Sequence, residues 1–167
     1  MMQTVAAALA CAREAGVARL DAQLLMARVL DRDRAWLIAH GEHPLTAEER
    51  ASFEAALCRR AAGEPLAYLT GEREFRGLAL RVDGRVLVPR PETEGLVDWA
   101  LDRLGAMADV ERPDVVDLGT GSGAIALAIA MACPRATIVA TDASPDALDV
   151  AAANALRLGV PLRLCRG

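Results

Sequence analysis

The chain has 167 residues, 53% hydrophobic and 25% charged, with a formal net charge of −4. This balance is too apolar for a disordered polypeptide and calls for a packed core. The net negative charge gives no general reason to bind nucleic acid, and no apolar run reaches the length of a membrane span.

The amino terminus is Ala-rich, but Arg13 and Glu14 interrupt it and no basic region precedes it, unlike a signal peptide. A cytoplasmic helix is expected. From residue 1 to about 62, apolar residues recur at three- and four-residue spacing, which predicts helices. Val5, Ala8, Leu9 and Ala12 mark the first; Leu20, Leu24, Met26, Ala27 and Leu30 mark the second. Thr46 and Glu49 have capping-box spacing ahead of a third, running from Ala47 to about Ala62. His40 and His43 lie in a turn without a third ligand, so a surface loop is expected and not a metal site. Cys11, Cys58, Cys133 and Cys165 form no Cys-x-x-Cys pair and are expected to be reduced, mostly buried thiols.

From Gly63 the pattern changes. Gly63 and Pro65 break the helix, and Gly71, Gly77 and Gly84 punctuate short β-prone runs, Leu78 to Val82 and Arg85 to Val88. Residues 63–90 therefore read as a linker and β-hairpin between a helical domain, 1–62, and a second domain, 91–167. Arg73, Arg76, Arg81, Arg85 and Arg90 outnumber Glu74 and Asp83 here, a local basic excess read as solvated hairpin charge. Pro89 and Pro91 bracket Arg90, and Glu92, Thr93 and Glu94 suit the first turn of a helix reaching about Leu104.

After Pro113, the run Val115 to Leu118 leads into Gly119-Thr120-Gly121-Ser122-Gly123 and an apolar helix from Ala124 to Met131. A strand from Thr137 to Thr141, a helix from Pro145 to about Leu158 and a short strand from Leu162 to Leu164 follow. This order predicts an α/β fold: a small helical bundle, a hairpin, then the first half of a doubly wound parallel sheet.

A glycine-rich turn at the carboxyl end of the first strand lets a cofactor approach the backbone, and the next helix turns its positive end to the ligand. Asp142 ends the second strand 23 residues after Gly119, where a carboxylate can accept both hydroxyls of a ribose. Two cofactors fit, because Gly119 to Ala124 also satisfies the G-x-G-x-x-[G/A] dinucleotide pattern and NAD stays open. S-adenosylmethionine is favoured by Asp117, two residues before the first glycine. A carboxylate there can hold the methionyl ammonium but repels a pyrophosphate. The alternative role for Asp117 is to cap the loop.

Three ordered segments, Pro65-Leu-Ala-Tyr-Leu-Thr-Gly71, Leu87-Val-Pro-Arg-Pro-Glu-Thr-Glu94 and Asp117-Leu-Gly-Thr-Gly-Ser-Gly-Ala-Ile-Ala-Leu127, together closely resemble the HemK/PrmC family of release factor glutamine methyltransferases. The resemblance covers essentially the whole chain. It implies a class I (Rossmann-like) methyltransferase that moves the methyl of S-adenosylmethionine to the glutamine side-chain amide in the Gly-Gly-Gln motif of peptide chain release factors. It further implies that Gly119, Thr120, Gly121, Ser122 and Gly123 line the methionyl part, that Asp142 holds the ribose, that Arg90, Pro91 and Glu92 help to close the site, and that the helical domain docks the release factor.

One departure is plain. The family's catalytic Asn-Pro-Pro-Tyr segment is not among these 167 residues. An amide nitrogen is a poor nucleophile whose orientation must supply much of the acceleration, so no useful turnover is expected of these residues alone. They are expected to be a fragment, with the sheet's edge and apolar faces exposed. The competing readings are a NAD-binding oxidoreductase domain and a non-catalytic module that binds release factors.

Overall fold

A computed structural model describes residues 2–107 and 109–167. The chain forms two compact units, Met1–Thr70 and Gly71–Gly167. The boundary falls inside the segment read as a linker.

The first unit is helical: α1 Val5–Glu14, α2 Arg19–Leu30, α3 Arg34–Ala39, α4 Ala47–Ala61 and α5 Leu66–Thr70. Val5, Ala8, Leu25, Met26, Leu37 and Phe53 form its core. Helices α1, α3 and α4 start at side-chain caps. Thr4 Oγ1 accepts from Ala7 N–H at 3.3 Å, and Asp33 Oδ1 accepts from Trp36 N–H at 2.7 Å. At α4 the expected capping box is complete: Thr46 Oγ1 accepts from Glu49 N–H at 3.2 Å while Glu49 Oε2 accepts from Thr46 N–H at 2.7 Å. Those bonds lower the Glu49 pKa, the Thr46 backbone N–H most of all. His40 and His43 are exposed and pack on Trp36, with ring centroids at 4.4 and 5.0 Å. No group of three or more metal-ligating side chains occurs among the described residues. No helix among them is long and apolar enough to cross a membrane.

The second unit opens with an antiparallel hairpin, β1 Glu72–Phe75 and β2 Leu78–Arg81, which buries Phe75, Leu78 and Leu80. The strand expected over Arg85 to Val88 does not form. The Asp83 carboxylate accepts from Arg85 N–H at 3.0 Å and from its guanidinium at 2.9 and 2.7 Å, and Val86 N–H donates to the Asp83 carbonyl, so a turn closes there instead of a ladder. The same bonds, the guanidinium first, pull the Asp83 carboxyl down to about 2. Arg76 pairs with Asp98 at 2.6 Å, so part of the local basic excess is neutralised within the fold.

A 3-10 turn, Pro91–Thr93, leads into α6 Glu94–Ala106. Then follow β3 Asp114–Leu118, α7 Ala124–Ala132, β4 Thr137–Asp142, α8 Pro145–Leu158 and β5 Arg163–Arg166. The three strands are parallel in the order β3-β4-β5. Ile138 and Ala140 of β4 bury their side chains with Ala126, Leu127 and Ile129 of α7. On alternate positions of β3, Val116 and Leu118 stay 59% and 78% exposed, because no helix among the described residues covers that side. This is the opening of a doubly wound parallel sheet, as the order of strands and helices predicts. The cysteines correct an expectation: all four are free thiols, but Cys58 is exposed and Cys11, Cys133 and Cys165 are only half-buried.

Candidate cofactor site

The loop from β3 to α7 contains three glycines in the left-handed region, Gly119 at φ 72°, Gly121 at 55° and Gly123 at 81°. Their surroundings differ. A Cβ on Gly119 or Gly121 would meet no protein atom within 4 Å, so both backbones face open space. A Cβ on Gly123 would lie 3.1 Å from Leu127 Cδ1 and 3.3 Å from Ala151 Cβ, so this glycine lets α8 close on the turn. Sequence reasoning assigned all three to ligand approach; the third serves helix packing.

The turn's amides are largely committed inside the protein. Gly119 N–H and Thr120 N–H both donate to the Thr141 carbonyl, at 2.9 and 2.8 Å, and Gly123 N–H donates to the Thr120 carbonyl at 2.8 Å. Gly121 N–H donates to Asp142 Oδ2 at 3.0 Å. A pyrophosphate cradle needs such donors free, so this loop is poorly suited to a dinucleotide.

Two carboxylates frame the loop. Asp117 is 9% exposed, and its Oδ2 accepts from Thr120 Oγ1 at 2.7 Å, so the loop-capping role is realised. Capping uses one of its oxygens and leaves acceptor capacity on the other. Asp142 ends β4, with Oδ1 accepting from Ser144 N–H at 2.9 Å and Oδ2 from Gly121. It thus ties the glycine turn to the start of α8, where Ser144 Oγ accepts from Ala147 N–H at 3.3 Å as the N-cap and Pro145 takes the first helical position. Each Asp142 oxygen retains a lone pair for a ligand hydroxyl. Ser122 is 2% exposed and serves the turn's interior.

The structure therefore brings together Asp117, Gly119, Thr120, Gly121, Ser122, Gly123 and Asp142. Arg90, Pro91 and Glu92 stand exposed at the start of the 3-10 turn, and no hydrogen bond or ion pair among the described residues joins them to the loop. Asn154, which sequence reasoning passed over, is fully buried on α8 and bonds the Ser122 carbonyl through Nδ2 at 2.9 Å. The available signal was a polar residue on an apolar stripe of Ala147, Val150, Ala151 and Ala155.

Residues 3–71 match the PrmC N-terminal domain family, and residues 115–167 match a methyltransferase domain family. Among curated proteins, the release factor glutamine methyltransferase of Bordetella pertussis is 49% identical over 152 residues, covering 91% of this chain and 55% of that protein. Over most of its length the chain is similar to release factor glutamine methyltransferases. Proteins of the same description from Xylella fastidiosa and Burkholderia pseudomallei are 50% and 51% identical, each match covering 86% of the chain and 51% and 50% of the relative. The chain thus spans about half the length of the curated relatives it matches.

Proposed function

We propose that this chain carries the cofactor-binding and substrate-recognition parts of an S-adenosylmethionine-dependent methyltransferase acting on the glutamine side-chain amide in the Gly-Gly-Gln motif of peptide chain release factors. The observation that carries the cofactor reading is the loop itself: open at Gly119 and Gly121, framed by the carboxylates of Asp117 and Asp142, with its amides already bonded. That chemistry suits a cationic, hydroxyl-bearing ligand better than a phosphate. The substrate reading rests on identity of about half to relatives described as release factor glutamine methyltransferases.

The residues divide the task. Asp117 offers its remaining acceptor capacity to the methionyl ammonium, and burial strengthens that attraction because few waters compete for it. Asp142 accepts from the ribose hydroxyls while its amide bonds keep its rotamer fixed. Gly119 and Gly121 let the ligand lie against the backbone. When bound, S-adenosylmethionine supplies an electrophilic methyl group on a sulfonium sulfur. Arg90, Pro91 and Glu92 close the site over the cofactor, and the helical unit docks the release factor. No catalytic group is assigned within these residues, because the Asn-Pro-Pro-Tyr segment that orients the amide in the resembling family is not among them.

The deciding experiment is calorimetric titration of the chain with S-adenosylmethionine and, separately, with NAD. Saturable binding of the first alone supports the reading; binding of NAD alone replaces it with an oxidoreductase domain. Capture of a release factor without methylation is expected of these residues and would equally describe a binding module. Release factor methylation by a chain that also carries an Asn-Pro-Pro-Tyr segment separates the two.

A further inference from the structure

Asn154 is a fully buried side chain on the apolar face of α8, and its carboxamide makes three hydrogen bonds that all leave the helix. Oδ1 accepts from Arg81 N–H at 2.7 Å; Nδ2 donates to the Arg81 carbonyl at 3.0 Å and to the Ser122 carbonyl at 2.9 Å. Arg81 ends the hairpin strand β2, and Ser122 lies in the glycine turn. One side chain therefore joins two segments that are far apart in sequence. Among side chains of this length only asparagine presents an acceptor and two donors in one plane. Aspartate would set an oxygen against two carbonyls.

The Ser122 carbonyl and the Gly123 N–H belong to one peptide unit. Its oxygen accepts from Asn154 and its N–H donates to the Thr120 carbonyl, so both ends of that plane are tethered. Ala151, one turn earlier on the same helix face, is the residue that a Cβ on Gly123 would meet. Arg157, one turn later, donates to the Ala79 carbonyl and pairs with Glu72, a second tie from the same helix to the hairpin. Beyond Arg81 the chain turns at Asp83 and continues to Arg90, Pro91 and Glu92.

We propose that Asn154 is a positioning residue, which fixes the Ser122–Gly123 peptide in register with the end of the hairpin and so presets the ligand-facing turn. Its consequence for cofactor affinity rests on the reading of the turn given above; its mechanical role rests on the hydrogen bonds alone. Removing the carboxamide takes this partner from the Ser122 carbonyl in the turn and from both backbone groups of Arg81 at the hairpin end.

The test measures amide exchange protection at Gly121 and Gly123 in the 167-residue chain, beside titration with S-adenosylmethionine. It compares the wild type with Asn154→Ala, Asn154→Asp and Leu164→Ala, the last removing core packing on β5. Asn154→Ala is expected to lower protection at both glycines about tenfold or more and to weaken cofactor binding by a similar factor. Leu164→Ala should lower overall stability while leaving the turn's relative protection in place. In Asn154→Asp, protonation of the buried carboxyl restores one donor, so protection factors should rise on acidification. Unchanged protection in Asn154→Ala, or an equal loss in Leu164→Ala, overturns the proposal. Should Asn154→Ala fail to fold, protection in Asn154→Asp that does not rise on acidification overturns it. If the wild type binds no S-adenosylmethionine, the cofactor reading fails while the exchange comparison still decides the role of Asn154.

Discussion

The Gly121 N–H donates to Asp142 Oδ2 at 3.0 Å, across 21 residues of sequence, so the carboxylate at the end of β4 shapes the turn at the end of β3. Asp142→Ala should remove this bond and the one to Ser144 together. It is expected to weaken S-adenosylmethionine binding by well over tenfold, and isothermal titration checks this. Binding undiminished in the variant would remove Asp142 from the site.

Gly121 and Gly123 separate ligand contact from packing. Either alanine substitution places a Cβ in a left-handed conformation, at about 1–2 kcal/mol. Gly123→Ala also drives that Cβ against Leu127 and Ala151, so urea unfolding should show it to be the less stable variant. Gly121→Ala meets no protein atom and should lose cofactor affinity out of proportion to its stability. Equal stability losses in the two would contradict this assignment.

The Asp83 carboxyl is held at about 2, below its usual 3.8, by Arg85. A depressed carboxyl stabilises the folded chain above its unfolded value and loses that contribution as pH falls from near 3.8 through about 2. Both partners are nearly half exposed, so solvent screens the pair and the contribution is small. A carboxyl titration followed by NMR should give a midpoint near 2 for Asp83, returning towards 3.8 in Arg85→Ala.

The helical unit can be tested by itself through its cap. Thr46→Ala should cost about 1 kcal/mol, because Thr46 Oγ1 satisfies the Glu49 N–H at 3.2 Å. Thermal unfolding reads the loss, and cofactor titration should be unchanged.

What the sequence determined by itself was local chemistry. The Thr46 and Glu49 pair, Pro145 after Ser144, and the three glycines between an apolar strand and an apolar helix each act within a few residues, so spacing alone announces α4, α8 and the loop from β3 to α7. Asp142 was legible because a strand end after a βα unit has a predictable place. Only the tertiary structure decided how those pieces are used. Arg85 to Val88 are β-prone, yet Asp83 captures Arg85 and no strand among the described residues pairs with them. The division of the glycines, the commitment of the turn's amides to Thr141 and Asp142, and the bridge from Asn154 to Arg81 and Ser122 all depend on atoms distant in sequence. Hydrogen bonds and steric contacts of that range are set by packing, and local periodicity carries no record of them.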